Sequence, residues 1–241
     1  HESTAASLLA CAGPGATPAW ASAAQTPNIR AMYIRADHQL PDLAHQQALI
    51  QAHPLGVWVL PTPQGLEANH IPFVLDRSRG PLGTLVGHVA RANGVWRALQ
   101  PDRPSLVVFQ GPQHYITPSW YPSKAEHGQV VPTWNYLAVH AHGTARVVGE
   151  PAALLALLHR LTDAQEGQRP VPWRVDDAPA PFIERLMRAI VGIEIPIERL
   201  EGKRKASQDE SSPDHRGTVQ GLLSEGSQAA AAMAQAMSTP V

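Results

Sequence analysis

Between Gln110 and Tyr136 the chain collects groups from which a ligand pocket can be built. The stretch holds Tyr115, Trp120, Tyr121, Trp134 and Tyr136, five of the ten Trp and Tyr residues in the chain. It also holds Lys124, one of only three lysines, directly after Ser123. Pro112, Pro118, Pro122 and Pro132 stiffen it. Rings, prolines and a few polar donors make a rigid surface suited to a flat, charged ligand. A phosphate-bearing aromatic cofactor fits that set: Lys and Ser donate to phosphate, and the rings border the heterocycle. The plainer alternative is a Pro-rich loop whose rings merely pack and whose lysine is solvated.

Other groups carry weaker chemistry. His140 and His142 stand at i and i+2, on one face of a strand, with Glu126 and His127 upstream. A metal could use them, but hydrogen-bonded histidines in a barrel wall explain the pair better. His88, Arg91 and Asn93 close one strand and could bind an anion or face solvent. Asn69, His70 and Ile71 lie in another strand. A nucleophilic triad is hard to assemble, because no Gly-x-Ser-x-Gly elbow is present. The single cysteine, Cys11, excludes an intramolecular disulfide and a cysteine metal centre.

Charge excludes a further class. Lys plus Arg number 19 against 20 for Asp plus Glu, a formal net charge of -1, so nothing marks a long phosphate-gripping surface. Lys203-Arg204-Lys205 is the one basic run and reads as solvated. No run of about 18 apolar residues occurs, so no helical membrane span is expected. Pro is 23 of 241 residues, which favours short strands and loops.

The elements that must position these groups follow from periodicity. Residues 1–31 are rich in Ala, Ser, Thr, Gly and Pro with almost no charge, and read as a flexible extension or leader. Residues 42–53 form a short helix after Pro41. Residues 56–60 and 66–75 flank a Pro/Gly turn, a hairpin signal. Residues 82–90 make a third strand, 93–100 a short helix and 105–110 a fourth strand. Residues 130–148 form one strand or two, broken at Gly143. Then the period changes to helical over 150–166 and 181–191. Ile193, Ile195 and Ile197 alternate as a strand, which Pro196 assigns to a sheet edge or a bulge. Residues 201–216 read as a charged loop, and 225–241 as a frayed helix or disordered tail. About six short strands with outer helices predict an α+β fold, mainly antiparallel β, as a barrel with peripheral helices.

The segment from Tyr121 to Tyr136, Tyr-Pro-Ser-Lys-Ala-Glu-His-Gly-Gln-Val-Val-Pro-Thr-Trp-Asn-Tyr, resembles the signature of the PaiB family of FMN-binding negative transcriptional regulators. Collinear blocks extend the likeness over residues 32–222: Met32-Tyr33-Ile34, residues 66–73, residues 87–93, residues 109–112 and residues 189–196. The resemblance implies a pyridoxamine-phosphate-oxidase-like split β-barrel, a cytoplasmic homodimer with FMN at the subunit interface, and residues 223–241 as a tail outside it. It implies that Asn69, His70, Ile71, His88, Arg91 and Asn93 hold the flavin phosphate. It implies that Gln110, Tyr121, Ser123, Lys124, Trp134 and Asn135 line the pocket or interface. Two roles follow: a flavin-dependent oxidoreductase or flavin-liganded regulator, or a regulator without turnover that senses a ligand or binds a protein partner. Direct DNA binding finds no support in the charge balance. The family often has Gly-Lys-Trp-Lys-Leu-Ser-Gln-Asn near the C-terminus. Here residues 202–209 lack the Trp, the Leu and the final Asn, which is Asp209.

Overall fold

The computed structural model describes residues 29–239. Most of the 1–31 extension, with Cys11, therefore lies outside the described residues. Nine strands and six helices follow one another as α1 (Leu43–Ala52), β1 (Leu55–Thr62), β2 (Gly65–Pro72), β3 (Val74–Asp76), β4 (Thr84–Ala90), β5 (Ser105–Ile116), α2 (Ser123–Glu126), β6 (Thr133–Gly143), β7 (Arg146–Val148), α3 (Pro151–Glu166), α4 (Ala180–Met187), β8 (Ile190–Pro196), β9 (Arg199–Lys205), α5 (Ser212–Ser224) and α6 (Gln228–Ser238). The strands form two antiparallel sheets, ordered β2-β1-β5-β6-β9 and β3-β4-β8-β7.

The sheets face each other across one apolar core. Trp58, Phe73, Phe109, Leu85, Ile193 and Ile195 are its fully buried large side chains, and Ile50 of α1 plugs one end. Burying each such side chain stabilises the fold by about 1.5–3 kcal/mol. The strand alternation is clean, because each sheet has one face in this core. The outer face of the small sheet lies under α3: a Cβ on Gly192 would meet Leu154 at 3.1 Å and Val148 at 2.9 Å. Among the described residues no helix covers the outer face of β1 and β5 in the large sheet. There Val57, Val59, Leu106 and Val108 are half-exposed, and Leu55 and Leu66 stand out in solvent.

The expected hairpin, the third strand, the helix over 150–166 and the break at Gly143 all appear. Five expectations need correction. Residues 93–100 make only a 3-10 turn at Gly94–Arg97, capped by Asn93. The fourth strand does not stop at 110. It runs on to Ile116 through an irregularity between Gln110 and Gln113, because Gly111-Pro112 bulges the ladder instead of ending it. β8 is an inner strand rather than an edge, and Pro196 is tolerated as its last residue, past the reach of β7. Residues 201–216 are not a loop: they contribute β9 and open α5. Within β9, Lys203 is only 9% exposed, and its ammonium donates to the Tyr33 carbonyl at 3.0 Å.

The last correction concerns residues 225–241, whose helix α6 is packed. Ala230, Met233, Ala234 and Met237 are buried with Leu222, Ile116, Tyr121 and Ala206 in a second core. Small residues let α5 close on this core. The Trp120 ring lies against Gly221, and the Trp120 carbonyl oxygen would stand 2.1 Å from a Cβ on Gly217. A Gly→Ala change inside a helix ordinarily gains about 1 kcal/mol. Gly217→Ala is expected instead to lose about 1–3 kcal/mol, because the backbone oxygen cannot yield. Gly149→Ala, which meets nothing within 4 Å, should stay within about 0.5 kcal/mol of the parent. Urea unfolding of both variants checks this, and a stabilised Gly217→Ala protein would refute the packing of α5.

Candidate functional site

The residues singled out by sequence fall into two groups on this chain. In the first, the Asn93 amide donates to Asn69 Oδ1 at 2.8 Å, and the Asn69 amide donates to Glu67 at 3.1 Å. Arg91 precedes Asn93 on the loop after β4. Its Nε and Nη2 donate to the carbonyls of Arg188 and Ile190 at 2.8 and 2.9 Å. No bond to Nη1 occurs among the described residues, and the guanidinium is exposed. His70 faces outward from the large sheet, in register with Val57 and exposed. Ile71 is 3% exposed and belongs to the main core, so its side chain packs against the interior. His88 pairs with Gly192 on the outer face of the small sheet, under α3. Burial lowers its pKa, and its Nδ1 is buried without a partner.

The second group lies at the far end of β5 and β6. Gln110 is exposed and donates to the Leu137 carbonyl at 3.2 Å. Trp134, 50% exposed, donates from Nε1 to Gln113 at 3.0 Å, and its ring sits 6.2 Å from that of Tyr115. Lys124 is exposed, and its ammonium reaches only Ser119 Oγ, at 3.3 Å. The Ser123 backbone N–H donates to Asp214 on α5 at 3.1 Å. Burial opposes ionisation of Asp214, but bonds from Ser123 and Ser211 outweigh it and hold the carboxyl below its ordinary range. Tyr121 is buried, and burial with the nearby carboxylates of Glu210, Asp214 and Asp209 pushes its phenol up to about 12. Asn135 is fully buried. Its amide donates to Ser207 Oγ at 2.8 Å, while its Oδ1 has no partner. No hydrogen bond or ion pair joins the two groups among the described residues.

His142 is hydrogen-bonded on both ring nitrogens, and the His140 ring lies 6.3 Å from it. Arg199 donates to His142 Nδ1 at 3.1 Å, so His142 Nε2 carries the proton and donates to Glu201 at 3.1 Å. Arg199 also bonds the same carboxylate at 2.8 Å. His140, His142 and Glu201 also bring their ligand atoms within 4.8 Å of one another. Sequence reasoning missed Arg199, Glu201 and Asp214. β9 and α5 were hidden by their charge, so nothing placed these groups opposite the histidines or under Ser123.

Residues 32–199 match a family whose model is described as "Putative FMN-binding domain". The protease synthase and sporulation protein PAI 2 of Bacillus subtilis is 30% identical over 207 residues, covering 86% of this chain and 96% of its own length. The chain belongs to this PaiB-type family of FMN-binding proteins. An uncharacterized protein of Aspergillus fumigatus is 35% identical over 237 residues, covering 79% of this chain and 90% of that one. Among solved structures, the FAD and heme binding protein from Mycobacterium smegmatis superposes with a TM-score of 0.50 at 19% identity, covering 73% of this chain and 75% of that one. A conserved hypothetical protein from Mycobacterium tuberculosis gives 0.52 at 14% identity, covering 75% and 94%. At such identities the likeness establishes the split-barrel fold. The cofactor of this PaiB-type chain is FMN.

The residues present suit a flavin. The outer face of β1 and β5 is apolar and half-exposed, with Gln110 exposed on it and His70 beside it on β2. A ring, Trp134, stands at its end, and the free donors of Arg91 and Lys124 are compatible with a phosphate.

The buried histidines make the fold sensitive to acid. Burial is the largest cause of the lowered pKa at His53, His88, His140, His142 and His215. The unfolded chain therefore binds more protons below the ordinary value of 6.5. Stability is full above that value and falls as pH drops through it. The urea midpoint is expected to fall between about pH 7.5 and pH 5.5. His88→Gln should flatten part of the slope, and an unchanged midpoint across that window would count against neutral buried imidazoles.

Proposed function

We propose that two copies of this chain pair through the outer face of the large sheet and hold FMN between them as a cytoplasmic flavin-dependent oxidoreductase. One observation carries the reading: the face formed by Val57, Val59, Leu106 and Val108 is apolar, half-exposed and, among the described residues, covered by no helix. A contiguous exposed apolar face of this kind marks an association surface. Pairing explains why the candidate residues fall into two unconnected groups, since each pocket would draw one group from each copy. Bound FMN supplies electron or hydride transfer. Arg91 and Lys124 would neutralise the phosphate. Trp134 would border the ring system, and Gln110 would offer a hydrogen bond to its polar edge. The aliphatic face would exclude water.

Within this reading Val108→Asp, placed at the centre of the face, turns the pair into single chains in sedimentation equilibrium and costs FMN binding. Arg91→Ala and Lys124→Ala each weaken FMN about tenfold in fluorescence titration. A parent protein that sediments as a single chain and still binds FMN fully would overturn the shared pocket.

A second reading, a flavin-liganded regulator, rests on the 30% identity to the PAI 2 protein, whose name ties it to protease synthesis and sporulation. Bleaching of the bound flavin by NADH or NADPH and its return with an added acceptor support the enzyme. A flavin that neither nucleotide bleaches, in a protein that retards promoter DNA in a salt-dependent gel shift, supports the regulator.

A further inference from the structure

Three side chains meet between the 3-10 turn at Ala36–His38 and the connection that follows β9. His38 is 3% exposed, and its Nε2 is buried without a hydrogen-bond partner. That nitrogen lies 3.8 Å from Oδ2 of Asp209. With the carboxylate of Asp37 it completes a set of ligand atoms that all lie within 4.8 Å of one another. One imidazole and two carboxylates are a donor set that borderline divalent ions accept.

The backbone fixes the set from both sides. Leu40 N–H donates to the Gly202 carbonyl at 2.9 Å, so the turn that carries Asp37 and His38 is pinned to β9. After β9, Ser207 adopts a left-handed conformation (φ 56°), and Gln208 donates to the Asp37 carbonyl at 2.7 Å. Asp209 is thereby turned back toward His38.

Arg35 now balances the charge. Its guanidinium bonds Asp37 at 2.5 Å and Asp209 at 3.1 Å, on a side chain that is half exposed. It makes no bond to His38, whose buried Nε2 has no hydrogen-bond partner among the described residues. We propose that Asp37, His38 and Asp209 bind a divalent transition-metal ion of the zinc class, and that Arg35 is the exchangeable cation holding the carboxylates until metal displaces it. The third ligand stands where the resembling family motif often ends in Asn, so the site is a property of this chain. The other His/Glu cluster, at His140, His142 and Glu201, is a poor competitor. There Arg199 donates to His142 Nδ1, which leaves Nε2 protonated.

The test uses the full chain with its flavin content unchanged, after chelation. Zn²⁺ is titrated by calorimetry, and Co²⁺ by its visible ligand-field bands. One ion per chain is expected. His38→Gln and Asp209→Asn should each weaken it at least about tenfold. Arg35→Ala should tighten it about fivefold, because a competing ion pair is gone. Thermal melts in chelator confirm that each variant is folded. His142→Gln should leave binding unchanged. Loss with His142→Gln, weaker binding with Arg35→Ala, or absence of saturable uptake by the parent and by Arg35→Ala would each overturn the proposal.

Discussion

At Gly143 the backbone of β6 comes so close to the end of β8 that an added Cβ would stand 2.1 Å from the Pro196 carbonyl oxygen. Two of the four crossings between the sheets occur here. The chain leaves the large sheet after Gly143 to enter β7, and returns after Pro196 to enter β9. Three hydrogen bonds stitch the corner: Glu198 N–H to the His142 carbonyl at 2.8 Å, Thr144 N–H to the Glu198 carboxylate at 3.0 Å, and Ile197 N–H to the Gly83 carbonyl at 3.0 Å. From inside, the Trp58 indole donates to Ser105 Oγ at 2.9 Å, which donates to the Gly143 carbonyl at 3.1 Å. This relay satisfies the polar atom of a fully buried ring and ties the centre of the core to the corner. A Cβ at 143 would force the end of β8 away from β6 and open the corner where the two inner faces close on each other.

Sequence patterning reached the elements whose signals are local. The hairpin showed its turn residues, α3 its Leu154 and Leu157 stripe, and the corner its glycine. It failed where tertiary structure overrode composition. Gly111-Pro112 looks like the end of a strand, yet β6 holds the ladder on both sides of the bulge. β9 hides its strand period because three consecutive cations occupy it. One alternate face is covered by the N-terminal segment and the other by α6, so no apolar alternation shows. The two groups of candidate residues were legible as residue types only. Their spacing along the chain could not tell that Asn69 would meet Asn93, nor that Ile71 would turn inward while His70 turned outward. That last difference is one residue of strand register.

The segment where the chain departs from its family's pattern is where α6 is anchored. Arg204 stands in place of the family's Trp, and its Nη2 donates to the carbonyls of Ala236, Met237 and Thr239 at 3.0–3.2 Å. These are carbonyls that the last turn of α6 leaves unpaired, so the cation acts as a C-terminal cap. Ala206 stands where the family often has Leu and is fully buried beside Met233 and Met237. The same core buries Tyr121 and the Asn135–Ser207 pair, so the α5–α6 unit is the platform on which the Tyr121–Tyr136 motif rests.

The near-zero net charge acquires a sharper meaning once each cation is followed to its partner. Lys203, Arg204 and Arg199 spend donors on backbone carbonyls of other segments, and Arg35, Arg79 and Arg160 pair with carboxylates. Such cations neutralise local dipoles and bind segments together; they lend little field to a ligand. Arg91 differs in keeping its ends unequal. Two of its nitrogens are committed to the chain entering β8, which orients the planar head, and the third is left over. A guanidinium held in this way has little rotamer entropy left to lose when an oxyanion arrives. Lys124, held by one long bond to Ser119, keeps its mobility and contributes charge rather than direction. A phosphate site drawing on both would gain geometry from one group and adaptability from the other.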